Sequence, residues 1–247
     1  MYRQQKYDQA EAAYRKAVDL NPKFAEAHNN LGCLLKEQGR FDEAARSLKK
    51  AGDLFPATDH HRQTARQLQQ ECERYAILDA RLPAILRGTE KPANAAEQIE
   101  LAKLSLLKKA NAAAAQFFRD AFNIDPRLAV VVPGGTRYDA ACSAALAGCG
   151  RGLDADKLDD RERSRWRRQA LDWLGQDLMW WGKEVGKGNA QTNASVRECM
   201  RHWQTDDDLA GLREPSGLDK LSPDERQECL ALWKKVAAVL SRAQTTK

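Results

Sequence analysis

Small and large apolar residues recur along the first 56 positions in two matched copies. Tyr7, Ala10, Tyr14, Ala17 and Pro22 return as Phe41, Ala44, Leu48, Ala51 and Pro56, each displaced by 34 residues. Within each copy the steps of three, four and three place the side chains on one face of a helix. A period of this length predicts helical hairpins stacked side by side, each unable to bury its apolar face alone.

Ala25 to Pro56 reads as one complete hairpin. Leu31 and Gly32 lie on its first helix, where a residue without a side chain lets the second helix come close, and Ala44 and Ala51 serve that contact from the other side. Gly39 is placed to take the left-handed conformation that closes the first helix. Phe41 and Leu48 fill the space between hairpins, and Pro56 stops the second helix. Met1 to Pro22 supplies a second helix without a first. Tyr7, Ala10, Tyr14 and Ala17 are therefore expected to be only partly covered, and the reading frame is expected to be the tail of a longer protein or a truncated copy of one.

On Leu31-Gly32, Ala44, Leu48, Ala51 and Pro56 the pattern resembles the tetratricopeptide repeat, with His28 and Leu35 where that family often has Trp and Tyr. The resemblance implies an all-α array of helical hairpins, an α-solenoid. It also implies a groove in which first helices present side chains to a peptide. Carried onto this chain, those positions are Glu26, Asn29, Asn30, Cys33, Lys36 and Glu37. Asn30 is the residue type often used there to bind peptide backbone, whereas Ile99 and Glu100 at the matching positions of a later hairpin disfavour a clamp for a C-terminal carboxylate.

Beyond Pro56, Ala65, Leu68, Cys72 and Tyr75 predict a helix from about residue 61 to 82 that covers the second repeat. Pro83 is expected to interrupt it, with Ile85 and Leu86 on a short turn closed by Gly88. Asn94 with Glu97 three positions on starts a third hairpin, whose Ala102, Ala114, Phe118, Ala121 and Pro126 repeat the positions of Gly32, Ala44, Leu48, Ala51 and Pro56. Asn111 stands where an aromatic closes the other hairpins, so a looser turn is expected. Residues 129–135 read as an extended connection. Residues 138–146 and 159–185 make a fourth hairpin, its second helix buried on two faces through Trp166, Trp173 and Trp180 beside Leu171, Leu174, Leu178 and Trp181. Residues 186–193 read as a joint. After a helix ending near His202-Trp203, a last helix opens at Ser222, Pro223 and Glu225 with a stripe of Leu230, Trp233, Val236, Ala237 and Leu240. The expected divisions are 1–56 (one and a half repeats), 57–92 (a linking helix), 93–185 (two degenerate hairpins) and 186–247 (a helical extension).

Composition adds limits. Hydrophobic residues make up 43% and charged residues 30% of the 247, as in a helical protein with one buried stripe per helix. No apolar run reaches the eighteen or so residues that span a bilayer, and the reading is a cytoplasmic protein without a membrane partner. A net charge of +5 is mild and dispersed. Arg161, Arg163, Arg165, Arg167 and Arg168 point in several directions on a helix and are offset by Asp159, Asp160 and Glu162, so they read as a solvated face rather than a nucleic-acid site. The six cysteines show no C-x-x-C pair and read as small apolar residues.

Catalytic chemistry finds little support. There is no kinase signature, no G-x-S-x-G elbow and no H-E-x-x-H helix, and Gly148 and Gly150 lack the strand and third glycine of a phosphate loop. Asp59, His60 and His61 lack a fourth ligand and read as a solvated helix start. An unfamiliar site around Cys142, Cys149 and His202 is the remaining enzymatic alternative. No cofactor, metal or catalytic residue is assigned.

Three phrases outside the repeats, LDARLPAILRG at 78–88, the run from Lys157 into RRQALDWL, and RHWQTDDDLAGLR at 201–213, resemble the C-terminal helical-repeat region of multidomain serine/threonine kinases of planctomycete bacteria. This likeness departs around residues 129–136. It implies kinase-linked recruitment or regulation. The sequence thus reads as a non-catalytic protein-binding scaffold whose partner is a protein or peptide, with a kinase domain or its substrates as the implied class; the alternative is a self-associating or autoinhibitory helical module.

Overall fold

The computed structural model describes residues 2–129, 135–185, 187 and 190–245. The protein is all-α, a tetratricopeptide-like array of helices, and it divides into two units, Met1–Lys91 and Pro92–Lys247. Among the described residues no helix is long and apolar enough to cross a membrane.

In the first unit α1 (Tyr2–Leu20) packs on α2 (Ala25–Glu37), α2 on α3 (Phe41–Leu54), and α3 on α4 (His60–Leu86). The hairpin α2–α3 is built as its sequence requires. Ala44, Leu48 and Ala51 are fully buried, as are Leu31 and Leu35 nearly so, while Pro56 is exposed beyond the helix end. Gly39 has φ +76° and carries the chain from α2 to α3. The same positions one period earlier fare differently. Tyr7, Ala10, Tyr14 and Ala17 are only half-buried on α1, and Pro22 is exposed.

Charged groups hold this partly covered helix in place. Arg40 reaches Glu11 at 2.7 Å and Glu43 at 2.6 Å, and Arg15 bridges Glu11 at 2.9 Å and Glu43 at 3.0 Å. Single exposed ion pairs contribute little, but linked ones fix geometry better.

Helix α4 corrects the expected break at Pro83. The helix continues to Leu86, because Tyr75, Leu78, Leu82 and Ile85 form one buried stripe across the proline. Burial of that stripe outweighs the one backbone hydrogen bond that proline cannot donate. Gly88, at φ +74°, then ends it, its N–H donating to the Ile85 carbonyl at 2.9 Å.

The second unit opens with α5 (Ala95–Leu107) and α6 (Asn111–Ile124), followed by a 3-10 turn at Pro126–Leu128. Asn94 accepts from the Glu97 N–H at 2.9 Å, and Glu97 accepts from the Ala93 N–H at 2.5 Å. Ala102, Ala114, Phe118 and Ala121 are fully buried. The Asn111 turn is not loose. Asn111 is itself buried and its Nδ2 donates to the Arg151 carbonyl at 2.9 Å, while Leu153 N–H donates to the Lys109 carbonyl at 2.8 Å. Asp154 accepts from the N–H groups of Ala112 and Ala113 at 3.1 and 2.8 Å and so caps α6 from forty residues away. The expected extended connection lies, over residues 130–134, outside the described residues.

Helix α7 (Thr136–Gly148) packs on α6 and on α8 (Asp160–Val185). Asp159 and Glu162 form a reciprocal cap at the start of α8, at 2.8 and 2.9 Å. Trp166, Trp173 and Trp181 are buried as expected. Trp180 is not: it is 38% exposed and edge-on to Trp181, because a strict seven-residue step drifts off a 3.6-residue helical face. Of the expected joint, residues 186, 188 and 189 lie outside the described residues, and residues 190–193 already belong to α9 (Ala190–Thr205), where Asn193 is fully buried.

A 3-10 turn at Asp207–Leu212 and the short α10 (Pro215–Leu218) lead to α11 (Pro223–Thr245), which packs on α8 and α9. The stripe of α11 is displaced from expectation. Cys229, Leu232, Val236, Val239 and Ala243 are buried, Leu230 and Ala237 are exposed, and Trp233 lies half-buried with its Nε1–H donating to the Leu212 carbonyl at 2.7 Å. Both stripes have helical spacing; the polar tip of Trp233 finds its partner at the rim, so the smaller Cys229 and Leu232 take the interior.

Candidate peptide-binding cleft

A cleft of about 480 Å³ opens between α1 and α2. Its floor is Ala10 and Leu34, and its walls are Tyr7 and Tyr14 from α1 and Asn30, Cys33 and Glu37 from α2. Tyr7 OH donates to Glu37 Oε2 at 2.9 Å, which fixes one end. The Asn30 side chain is exposed and makes no hydrogen bond among the described residues, so its amide is left unsatisfied by the chain. The combination of two tyrosine faces, an apolar floor and an uncommitted amide suits an extended or helical peptide.

The six groove positions inferred from sequence separate. Asn30, Cys33 and Glu37 come together in the cleft, whereas Glu26 and Asn29 do not line it. Lys36 turns to α4, where its Nζ meets Glu71 at 2.5 Å and lies 5.9 Å from the Tyr75 ring centroid. Sequence reasoning missed Tyr7 and Tyr14 as lining residues by treating them only as packing positions. The signal was present: both tyrosines lie on the apolar face of α1 that packs beside α2.

Other clusters have a structural account. Asp59, His60 and His61 bring three potential ligand atoms within 4.8 Å of one another. However, Asp59 Oδ1 already accepts from the His61 N–H at 2.9 Å and contacts its Nδ1 at 2.8 Å, His61 stacks on Phe55, and the cluster sits at the start of α4, where the helix dipole disfavours a cation. Cys142 and His202 both adjoin Tyr138 and Asp206. Tyr138 OH donates to Asp206 at 2.7 Å, and His202 Nε2 lies 3.3 Å from the same carboxylate. Cys149 belongs elsewhere, against Gly211 and beside Arg167. Burial pushes the thiols of Cys142 and Cys149 up, and those of Cys199 and Cys229 to about 12. They remain protonated near neutral pH, unlike a nucleophilic cysteine.

The arginine run of α8 is not wholly a solvated face. Arg161, Arg165 and Arg168 are exposed, but Arg167 points inward, pairs with Glu225 at 2.8 Å and donates to the Gly148 carbonyl at 2.6 Å.

Comparison with known proteins agrees with this geometry where it is strongest. Residues 1–39 match the family described as TPR repeat, and residues 25–58 match the family described as Tetratricopeptide repeat. Tetratricopeptide repeats therefore occupy the part of the chain that holds the cleft. No curated protein matches the chain. Among solved structures, one described as the crystal structure of APC/C hetero-tetramer Cut9-Hcn1 is similar at 16% identity and a TM-score of 0.26; the match covers 97% of this chain and 40% of that one. The likeness is too loose to speak to function.

Proposed function

We propose that the protein is a non-catalytic interaction module whose first unit takes a segment of another polypeptide into the cleft between α1 and α2. The observation that carries this is the joint exposure of Tyr7, Tyr14 and Asn30 around an apolar floor, inside matched repeat sequence. The kinase-like phrases at 78–88, 157–174 and 201–213 support a narrower role, in which the module recruits partners or substrates to a serine/threonine kinase, encoded with it or separately.

Peptides selected by display against the whole chain test the cleft. Asn30→Ala and Glu37→Lys should each weaken a selected peptide about tenfold, the range expected for losing a buried polar contact or reversing a charge, while Lys49→Ala on the exposed side of α3 should not. Binding indifferent to both cleft changes would overturn the assignment. For the kinase role, a substrate bearing the selected peptide should be phosphorylated faster by a serine/threonine kinase fused to this chain than by the kinase alone. Equal rates would remove recruitment while leaving peptide binding intact.

A further inference from the structure

The second unit contains a cleft of about 580 Å³ framed by the loop after α7, the start of α8 and the segment joining the 3-10 turn to α11. Its charges do not cancel. Arg167 is paired with Glu225, and Glu214 with Arg213 at 2.9 Å. Arg151, Arg163 and Lys220 then face a single unpaired carboxylate, that of Asp160. The lining itself carries one more positive than negative charge, and Arg213, which lies behind the wall and pairs with Glu214, brings the local excess to about two.

The three cations are also short of partners. Arg151 commits one N–H to the Asp207 carbonyl at 2.6 Å. Arg163 gives one to the Ala155 carbonyl at 3.3 Å, and its buried Nε has no hydrogen-bond partner. The Lys220 ammonium is exposed at the rim without an ion pair or hydrogen bond among the described residues, as is the Ser216 hydroxyl. Gly150, at φ +72°, lies against the Arg163 guanidinium.

We infer that this cleft binds a phosphate group, either free or carried as a monoester. Such a group carries about −1.5 to −2 charge near pH 7, of the sign the net positive cleft attracts, and three acceptor oxygens that the underused donors on separate walls can share. Two guanidinium groups also suit the planar, multidentate contact that phosphate invites. The site lies in the second unit and is independent of the peptide cleft in the first.

Calorimetric titration of the full chain with inorganic phosphate, with a phosphoserine tripeptide and with its unphosphorylated form decides the matter, using chloride at matched ionic strength and succinate as controls. Saturable phosphate binding is expected, weakened about tenfold by Lys220→Ala and by Arg163→Gln, in line with loss of one charge-assisted hydrogen bond. Tighter binding of the phosphoserine peptide than of phosphate assigns the group to a phosphorylated side chain; equal binding assigns it to free phosphate. Lys220 is exposed, so its variant remains informative should Arg163→Gln fail to fold. Titration no different from chloride, equal affinity for succinate, or unchanged affinity in a folded Lys220→Ala would overturn the inference.

Discussion

A Cβ on Gly148 would lie 2.8 Å from the backbone nitrogen of Arg167 and 2.9 Å from the carbonyl of Arg163. The end of α7 thus meets α8 backbone to backbone. Gly32 meets its neighbour differently, since a Cβ there would sit 2.5 Å from Leu48 Cγ and 3.2 Å from the Ala44 carbonyl. Both positions are glycine for close approach rather than for a turn, but a helix backbone yields less readily than a leucine side chain. Gly148→Ala should therefore cost about 1–3 kcal/mol even after the gain in helix propensity, and Gly32→Ala should cost less. All six tryptophans lie in the second unit, so their fluorescence reports Gly148→Ala, and far-UV circular dichroism reports Gly32→Ala. A larger loss at Gly32 would contradict this account of the two contacts.

Ala44 offers a complementary test by volume. It is fully buried against α2, and Leu48 beside it already fills the space over Gly32. Ala44→Leu should wedge the hairpin apart and cost about 1–3 kcal/mol. Thermal unfolding followed by circular dichroism checks it, and an unchanged midpoint would mean that α2 and α3 are not in tight contact there.

Asp154 concerns a contact across forty residues of sequence. Its carboxylate holds the first N–H groups of α6, and the loop that carries it packs on Lys109 and Asn111. Asp154→Ala should lower the stability of the second unit by about 1 kcal/mol, as for loss of a helix cap, and Asp154→Asn should recover part of it. Denaturant titration followed by tryptophan fluorescence measures both; equal effects of the two variants would show that the carbonyl oxygen contributes nothing.

These sites also show where the sequence was readable. The repeat offset placed Gly32, Ala44, Leu48 and Ala51 because each acts on a helix neighbouring in sequence, and period alone reveals such contacts. Asn94 with Glu97 was readable as a local cap for the same reason. Asp154 and Asn111 were not, since their partners are remote and no local pattern couples them. On α11 two stripes with the same period compete, and only the docking of Trp233 on Leu212 decides between them. The peptide cleft was half visible: α2 supplied Asn30, Cys33 and Glu37 by position, but the α1 wall of Tyr7 and Tyr14 came from an incompletely covered packing face.

Two carboxylates in the second unit should respond to pH with opposite sign. Asp177 is buried, and desolvation raises its pKa to about 6 despite Arg137 at 2.5 Å. Its folded form therefore favours the proton, and the stability it contributes is complete below about pH 4 and lost as pH rises through 6, on the order of 2–3 kcal/mol. Glu225 is held below its ordinary 4.5: desolvation acts upward, but hydrogen bonds from Ser164 and Arg167 outweigh it. Its contribution is present above pH 4.5 and is lost as pH falls through its lowered value. Asp177→Asn should thus gain on the wild type between pH 4 and 7, while Glu225→Gln should lose ground over the rise from acid to neutral pH. Tryptophan-detected melting of the three proteins across that range reads both trends, and parallel curves for the two variants would refute the opposing signs.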